Sequence, residues 1–586
     1  MTSSETEVMT GRAAMALIGA LAGLSMWLLI DVIPDVVHNQ TLLVTLTAAV
    51  CGFFGVLLAI SGPVRLGLAM AGAAALGGFA SLMLGLASLR FDTVENLLEN
   101  SFAIPAWGVI LFVSTPFVSV MLRDRTGWRD YPRLFDCTWS IIVRYSAAWL
   151  FVGVFWLILI LSNALLEIVG IDIIDRLIDV DAVPHIFTGL ALGLALKVVH
   201  EMRDYLSPYM VLHLLRLIVP VMLVVVAVFV GALPMRDPNE LFGGLSPAGT
   251  LLSVALGMIL LISVAMDKDD QDAVSSRWMR LATEGLALLL PVVSGVAVYA
   301  IWLRVGQYGW SPSRLAAATA AGFALSYALL YALAVVRRGA WMARLRQSNV
   351  WMAFALVVMA VMWLSPIYNA EKISTNSQVG RYLDGRASVS ETAIWEMTHE
   401  WGKPGMRGVA ILRSLTGETH LEMREALSVA ASTDRKYVFD RKINDDGRND
   451  DLSQLAALIR PVSGQDPITA DQLAGLPDYR IEYWVSACGR STDHACAIVF
   501  EDFDPQSAGR EGFIFIPSRG NQFEVVSLRV HDGAFVAGND LRDRESGGNV
   551  LLSADQVQGI LDGEYQVAPS SQKSLWLENL ELIPDN

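Results

Sequence analysis

Between residues 12 and 364 the sequence repeats one pattern, a long apolar stretch followed by a short polar break. A hydrocarbon core about 30 Å thick needs roughly 20 apolar residues in helix, because every backbone polar group inside it must be paired within its own segment. Stretches that meet this need run from Arg12 to Ile30, Leu42 to Ile60, Val64 to Leu86, Ala103 to Leu122, Tyr145 to Leu166, His185 to His200, Tyr209 to Leu233, Ala248 to Met266, Leu281 to Leu303, Leu315 to Val336 and Val350 to Leu364. That makes about 11 spans. The sixth is short enough to leave a tilted helix or a re-entrant segment open. With 54% hydrophobic and only 17% charged residues in 586, the expected fold is mainly α: a polytopic transmembrane helical bundle over residues 1–365.

Lys and Arg gather in alternate breaks. One set holds Arg123, Arg125, Arg129 and Arg133, then Lys197 and Arg203, then Lys268, Arg277 and Arg280, then Arg337, Arg338, Arg344 and Arg346. The other offers little beyond Arg90, Arg176, Arg236, Arg304 and Arg314. Basic residues are retained on the cytoplasmic side. The expectation is therefore a multi-pass protein of a bacterial inner membrane with a cytoplasmic N-terminus. An odd number of crossings then leaves everything after Leu364 in the periplasm. Met1 to Thr10 is acidic, so the first span reads as a retained anchor and not as a cleaved signal peptide.

From Pro366 onward the apolar runs shorten and charge rises, as expected of an extracytoplasmic soluble domain over 366–586. Its part over 366–443 reads as helical, with apolar positions three or four apart in Thr375 to Leu383, Ser390 to Trp401, Pro404 to Leu415 and Leu421 to Ala431. Its part over 452–586 reads as mainly β. Tyr483 to Ala487, Ala497 to Phe500, Gly512 to Ile516 and Phe523 to Val530 suggest a small antiparallel sheet, making this an α+β domain. Asn444 to Asp451 between them suits an exposed linker. Its acidic residues, like Glu501, Asp502, Asp504 and Glu511, lack the ordered spacing of an EF-hand, so no metal is expected at either place.

Four cysteines divide by position. Cys51 and Cys137 fall in or beside apolar spans and read as small buried hydrophobes. Cys488 and Cys496 flank a turn between two strand-like runs, in a compartment that permits oxidation, and are expected to form a disulfide. A metal site with His494 would have too few ligands for a closed zinc shell.

Ionisable groups inside a span are candidate functional residues, because keeping them there costs a few kcal/mol, roughly, unless they face water or a partner. The densest intramembrane polar cluster joins the sixth and seventh spans: Lys197, His200, Glu201, Arg203 and Asp204, then His213 and Arg216. Lys197, Glu201 and Asp204 share one helix face, and His213 and Arg216 another. Arg216 lies about 10 Å along its helix and calls for a carboxylate, for which Glu201 or Asp204 is the available partner. The cluster reads as a structural ion pair, as a proton or anion pathway relayed by His200 or His213, or as a headgroup site.

No phosphate-binding loop, dinucleotide fingerprint, HExxH or nucleophile elbow stands in a persuasive setting, so no catalytic residue and no cofactor is expected. No basic stripe fits nucleic acid. Three further stretches are particular: Arg129-Asp130-Tyr131-Pro132-Arg133-Leu134-Phe135, Gln307-Tyr308-Gly309-Trp310-Ser311-Pro312-Ser313-Arg314, and Ile373-Ser374-Thr375-Asn376-Ser377-Gln378-Val379. Through them the chain, over roughly Arg129 to Arg386, resembles a family of bacterial integral membrane proteins, domain of unknown function 4153. The resemblance implies an inner-membrane, multi-pass body with an outward tail, and no reaction or substrate. Tyr308 and Trp310 read as an interfacial belt, and Ser311 before Pro312 as a helix cap.

The partners expected are the lipid bilayer, a small-molecule or lipid ligand bound or transported by the helices, and an envelope protein bound by the outer domain. The last would make the chain a scaffold or sensor. A third reading, an enzyme acting on lipid-linked substrates, would use His200, Glu201 and Asp204 as acid and base.

Overall fold

The computed structural model describes residues 3–202, 208–235, 247–274, 276–443, 445–489, 496–501, 511–518, 522–531, 534–540, 551–565, 575–577 and 580–582. The chain separates into two compact units, Met1–Ser432 and Thr433–Asn586.

Among the described residues of the first unit, 11 helices are long and apolar enough to cross a membrane. They are α1 (Met9–Val36), α2 (Gln40–Ile60), α3 (Leu66–Ser88), α4 (Ala103–Met121), α5 (Tyr131–Ile168), α6 (Ala182–Glu201), α7 (Tyr209–Met235), α8 (Ala248–Met266), α9 (Arg277–Tyr308), α10 (Pro312–Val336) and α11 (Trp341–Leu364). Every expected span recurs. The sixth, α6, is a continuous helix of 20 residues, about 30 Å long and so long enough to cross. The fifth differs most: α5 has 38 residues, about 57 Å, and begins well before Tyr145. Its early turns carry Asp136 and Arg144, which a search for unbroken apolar runs passes over.

Small residues decide how closely these helices approach. Gly19 and Gly23 of α1 face Gly189 and Gly193 of α6. A Cβ on Gly19 would overlap the Gly189 carbonyl oxygen, and one on Gly189 the Gly19 carbonyl oxygen. Gly193 stands in the same relation to Met15, and Gly23 to His185. Lipid offers no hydrophobic drive between helices, so such backbone-to-backbone packing is what holds them. Gly52 and Gly77 do the same for α2 and α3, with a Cβ on Gly77 only 2.8 Å from the Phe53 nitrogen. The largest core packs α7 to α11 around Met258, Ile262, Leu286, Leu290, Val293 and Tyr331.

After α11 come α12 (Ala370–Leu383), α13 (Ile394–His399), α14 (Gly402–Arg413) and α15 (Leu421–Ala431), which complete the first unit. Buried Arg90, just past α3, donates to the carbonyls of Trp363 (2.9 Å) and Ser365 (2.5 Å) and pairs with Glu371 at 3.3 Å. Gly402 sits against the Arg90 carbonyl with φ +55°, a conformation and a proximity that both favour glycine. Gln378 donates to the carbonyls of Tyr308 (2.9 Å) and Trp310 (3.1 Å), and the Trp310 amide donates to Ser377 at 3.1 Å. The segments following α3, α9 and α11 thus meet at one end of the bundle. Ser311 caps α10, accepting from the Arg314 amide at 3.3 Å.

The second unit opens with α16 (Lys436–Ile443) and α17 (Asp445–Leu458). It then forms a sheet of β1 (Ile459–Pro461), β2 (Cys496–Glu501), β3 (Glu511–Pro517), β4 (Gln522–His531) and β5 (Ala534–Asp540), in that order, with β6 (Leu551–Ser553) also on β4. Three expectations are corrected. The stretch expected as a linker is helical from Asp445, with Leu452 and Leu455 buried. Tyr483 to Ala487 is not a strand but part of α18 (Asp478–Gly489), whose Ile481, Trp484 and Cys488 are buried at helical spacing. The sheet is mixed, because β1 runs parallel to β2. A parallel pair needs a crossover, and α18 lies in it.

Cys488 and Cys496 are disulfide-bonded, with Cα atoms 5.3 Å apart. The bond joins the end of α18 to the start of β2, not two strands. His494 and residues 502–510 lie outside the described residues.

Replacing Gly189 with valine should lower stability by about 1–3 kcal/mol or more, the usual cost of overpacking. Gly295→Ala in α9, where an added Cβ meets nothing, should not. Thermal unfolding of the purified protein in detergent separates the two, and equal midpoints would remove the glycine contact as the reason α1 and α6 pack.

Candidate functional site

The polar centre of the first unit forms where α8 ends. A helix leaves its last carbonyls unpaired, and here two arginines supply the donors. Arg216 of α7 donates through Nε to the Val264 carbonyl at 3.2 Å, and through Nη2 to a carboxylate oxygen of Asp267. Arg346 of α11 donates to the carbonyls of Met266 (2.6 Å) and Asp267 (3.2 Å) and pairs with Asp270 at 2.7 Å. Asp267 is 0% exposed and both arginines 8%. Asp267 turns the chain with φ +52°, a conformation that Asp tolerates better than most residues. Burial pushes its carboxyl pKa up, while the Lys268 amide, at 2.6 Å, and Arg216 draw it back.

A second layer surrounds this clamp. Lys268 donates to the Tyr209 hydroxyl and pairs with Asp272 at 3.1 Å and Asp136 at 3.8 Å; Tyr209 in turn donates to Asp136 at 3.0 Å. Bonding to Tyr209 is the main reason the Lys268 ammonium holds its proton more firmly than usual. Deeper in the bundle, fully buried Tyr331 donates to Asn349 at 2.6 Å. The Asn349 amide reaches Ser263 (3.2 Å) and the Tyr131 hydroxyl (3.4 Å).

Beside the clamp lies a cleft of about 500 Å³, within the range of small-molecule sites. It is lined by Trp128 to Pro132 at the start of α5, by Lys268 and Asp269 after α8, and by Arg346, Gln347 and Trp351 of α11 among others. Trp128, Tyr131 and Trp351 give it aromatic walls, and Phe354 packs against both tryptophans, at 5.5 Å from Trp128 and 6.3 Å from Trp351 between ring centroids.

The residues singled out in the sequence fall into two groups. Arg216 belongs to the clamp; its partner is Asp267, not Glu201. Glu201 is held instead by Arg12 of α1 at 2.6 Å and by Lys197, one turn away, at 3.7 Å. His200 lies against Gly62, and His213 bonds the carbonyl of Tyr209 on its own helix at 2.7 Å. Arg203 and Asp204 lie outside the described residues. Sequence reasoning missed Asp267, Arg346 and the aromatic cleft. The available signal was the charged stretch Asp267-Lys268-Asp269-Asp270, starting at the residue after an apolar span. It also missed Arg144, buried on α5, which donates to the Ala59 carbonyl at 2.8 Å. Among the described residues no group of three His, Cys, Asp or Glu side chains could hold a metal ion.

Arg216→Ala leaves the Asp267 carboxylate buried without its cation and should cost about 3–5 kcal/mol. Arg216→Met combined with Asp267→Asn should recover most of that, since Asn keeps the left-handed turn and an acceptor for the Lys268 amide. Unfolding midpoints of the single and double variants test this; strictly additive losses would show that the pair is not coupled.

The model of one family, Domain of unknown function (DUF4153), matches residues 21–394. No curated protein and no solved structure matches the chain. The matched segment takes in the clamp, the cleft and all the spans but the beginning of α1. It covers well over half of the sequence, and the protein therefore belongs to the DUF4153 family of unknown-function domains.

Proposed function

We propose that the protein is a multi-pass protein of a bacterial inner membrane that binds or transports a small or lipidic solute, taken up in the cleft between the start of α5, the segment after α8 and the first turns of α11. The observation that carries this reading is the cleft itself, walled by aromatic rings and set directly on a rigid two-arginine clamp. Rigid polar surroundings at a concave surface are what ligand recognition needs. In this reading the end of the bundle that holds the cleft faces the cytoplasm. The basic breaks are concentrated there. The C-terminal unit then lies in the periplasm, a compartment in which the Cys488 to Cys496 disulfide persists.

Two measurements test the two halves of the proposal. Green fluorescent protein fused after Asn586 should be dark and after Arg338 bright, because it does not fold to fluorescence outside the cytoplasm; fluorescence at both positions overturns the sidedness. Filling the cleft with Ala343→Trp should remove a compound that co-purifies with the wild-type protein and is detected by mass spectrometry of its extract. Identical extracts from equally abundant proteins would sink the binding site.

A further inference from the structure

We infer that the cleft is a site for a phosphate group, with the Arg129 guanidinium as its principal charge. The inference rests on the reading of the cleft as a solute site and gives that solute its chemical class. Arg129 lies with its guanidinium carbon 4.3 Å from the Trp128 ring centroid and 6.0 Å from that of Trp351. It has neither a carboxylate partner nor a hydrogen-bond acceptor among the described residues. Three arginines around the cleft differ: Arg133 pairs with Asp124 and Asp130, Arg216 with Asp267, and Arg346 with Asp270.

The two carboxylates that line the cleft are already engaged. Asp130 is held by Arg133 at 2.8 Å. Asp269 accepts the amides of Gln271 (2.9 Å) and Asp272 (3.0 Å), which hold its pKa below the usual carboxylate range. Arg129 is thus flanked by acids that do not use it. Stacking on tryptophan fixes the plane of a guanidinium and leaves its edge of N–H donors available, the fork that matches a phosphate bidentately. Gln347 adds an amide without a partner among the described residues. The Tyr131 hydroxyl is turned inward to Asn349, so the ring lines the cleft and its hydroxyl belongs to the buried network. Lys268 and Arg346 are tethered by their carboxylates and contribute field more than contact.

The position suits a phosphate at a bilayer surface. Trp351 is 53% exposed and Val358, two turns on, 58%, so the stripe of α11 that carries Trp351 faces lipid. Tryptophan and a basic side chain at the edge of a span mark headgroup depth. The same chemistry serves a phospholipid headgroup or a soluble phosphorylated solute.

The test uses the full chain purified in detergent and native mass spectrometry with four probes: dioleoyl phosphatidylglycerol, a glucosyl diacylglycerol that lacks phosphate, glycerol 1-phosphate and inorganic phosphate. Wild type should bind at least one phosphate-bearing probe in preference to the phosphate-free lipid. Arg129→Gln should weaken that binding at least about tenfold, as expected for loss of a charge-assisted hydrogen bond. Arg129→Lys should fall between, and exposed Arg125→Gln should match wild type. Phosphatidylglycerol retained against excess glycerol 1-phosphate assigns the site to a headgroup; its displacement assigns it to a soluble phosphate. Equal binding of all probes by wild type and Arg129→Gln overturns the inference. If Ala343→Trp still releases a phosphate-free compound, the solute site stands and only its chemistry was misread; if it releases nothing, both fall.

Discussion

A helix that ends in or near lipid leaves carbonyl oxygens that water cannot reach, and each unpaired one costs several kcal/mol, roughly. In this protein arginine meets that demand repeatedly. Arg144 reaches the end of α2 through the Ala59 carbonyl, Arg216 and Arg346 the end of α8, and Arg344 the end of α10 through Ala334. At the other end of the bundle Arg90 serves α11, while Arg314, through Tyr308, and Arg381, through Gly306 and Gln307, share the last carbonyls of α9. A cation at a helix C-terminus gains from the macrodipole as well, by about 0.3–1 kcal/mol and up to about 2 when partly buried. Arg344 and Arg314 cap the helix just before their own, whereas Arg90, Arg144, Arg216, Arg346 and Arg381 lie far away in sequence, so the ends they cap also fix how distant spans stand against one another.

The glycine contacts play the complementary part along the helix shafts. Where Gly19 meets Gly189 the backbones touch, and no arginine is needed because the carbonyls there are paired within their own helices. The cleft exists because α5 departs from this regular packing. It starts about 20 Å before its apolar run, and that extension brings Tyr131 to Asn349 of α11, Asp136 to Tyr209 of α7 and Arg144 to the last turn of α2. The segment after α8 and the first turns of α11 close over it, leaving a concave surface where a helix of minimal length would have left open solvent.

Much of this architecture is legible in the sequence for a simple reason: lipid forbids alternatives. All of the expected spans recur because an apolar run of bilayer length has little else to do. The disulfide was legible because Cys488 and Cys496 are close in sequence. What was not legible depends on contacts between distant residues. Arg216 stands 15 positions after Glu201 and 12 after Asp204, yet its partner, Asp267, lies 51 positions downstream. Local spacing ranks the near carboxylates first and has no access to the far one. Tyr483 to Ala487 failed differently. A short run of aromatic and β-branched residues satisfies both periodicities, and burial of Trp484 beneath the sheet decided for helix.

The location of the best functional candidate changes accordingly. An intramembrane arginine invites a functional reading until its partners are known. Arg216 has them: a buried carboxylate and a helix terminus, which together account for its charge and its depth. A closed pair of this kind explains structure, and opening it for a ligand would expose two desolvated charges. Arg129 is the opposite case, partly solvated, stacked on a ring, and beside acids bound elsewhere. A charge that the fold does not consume is the one left to meet something outside it. The clamp's part in the proposed site is then indirect: it ties α7 and α11 to the end of α8, beside which the cleft lies.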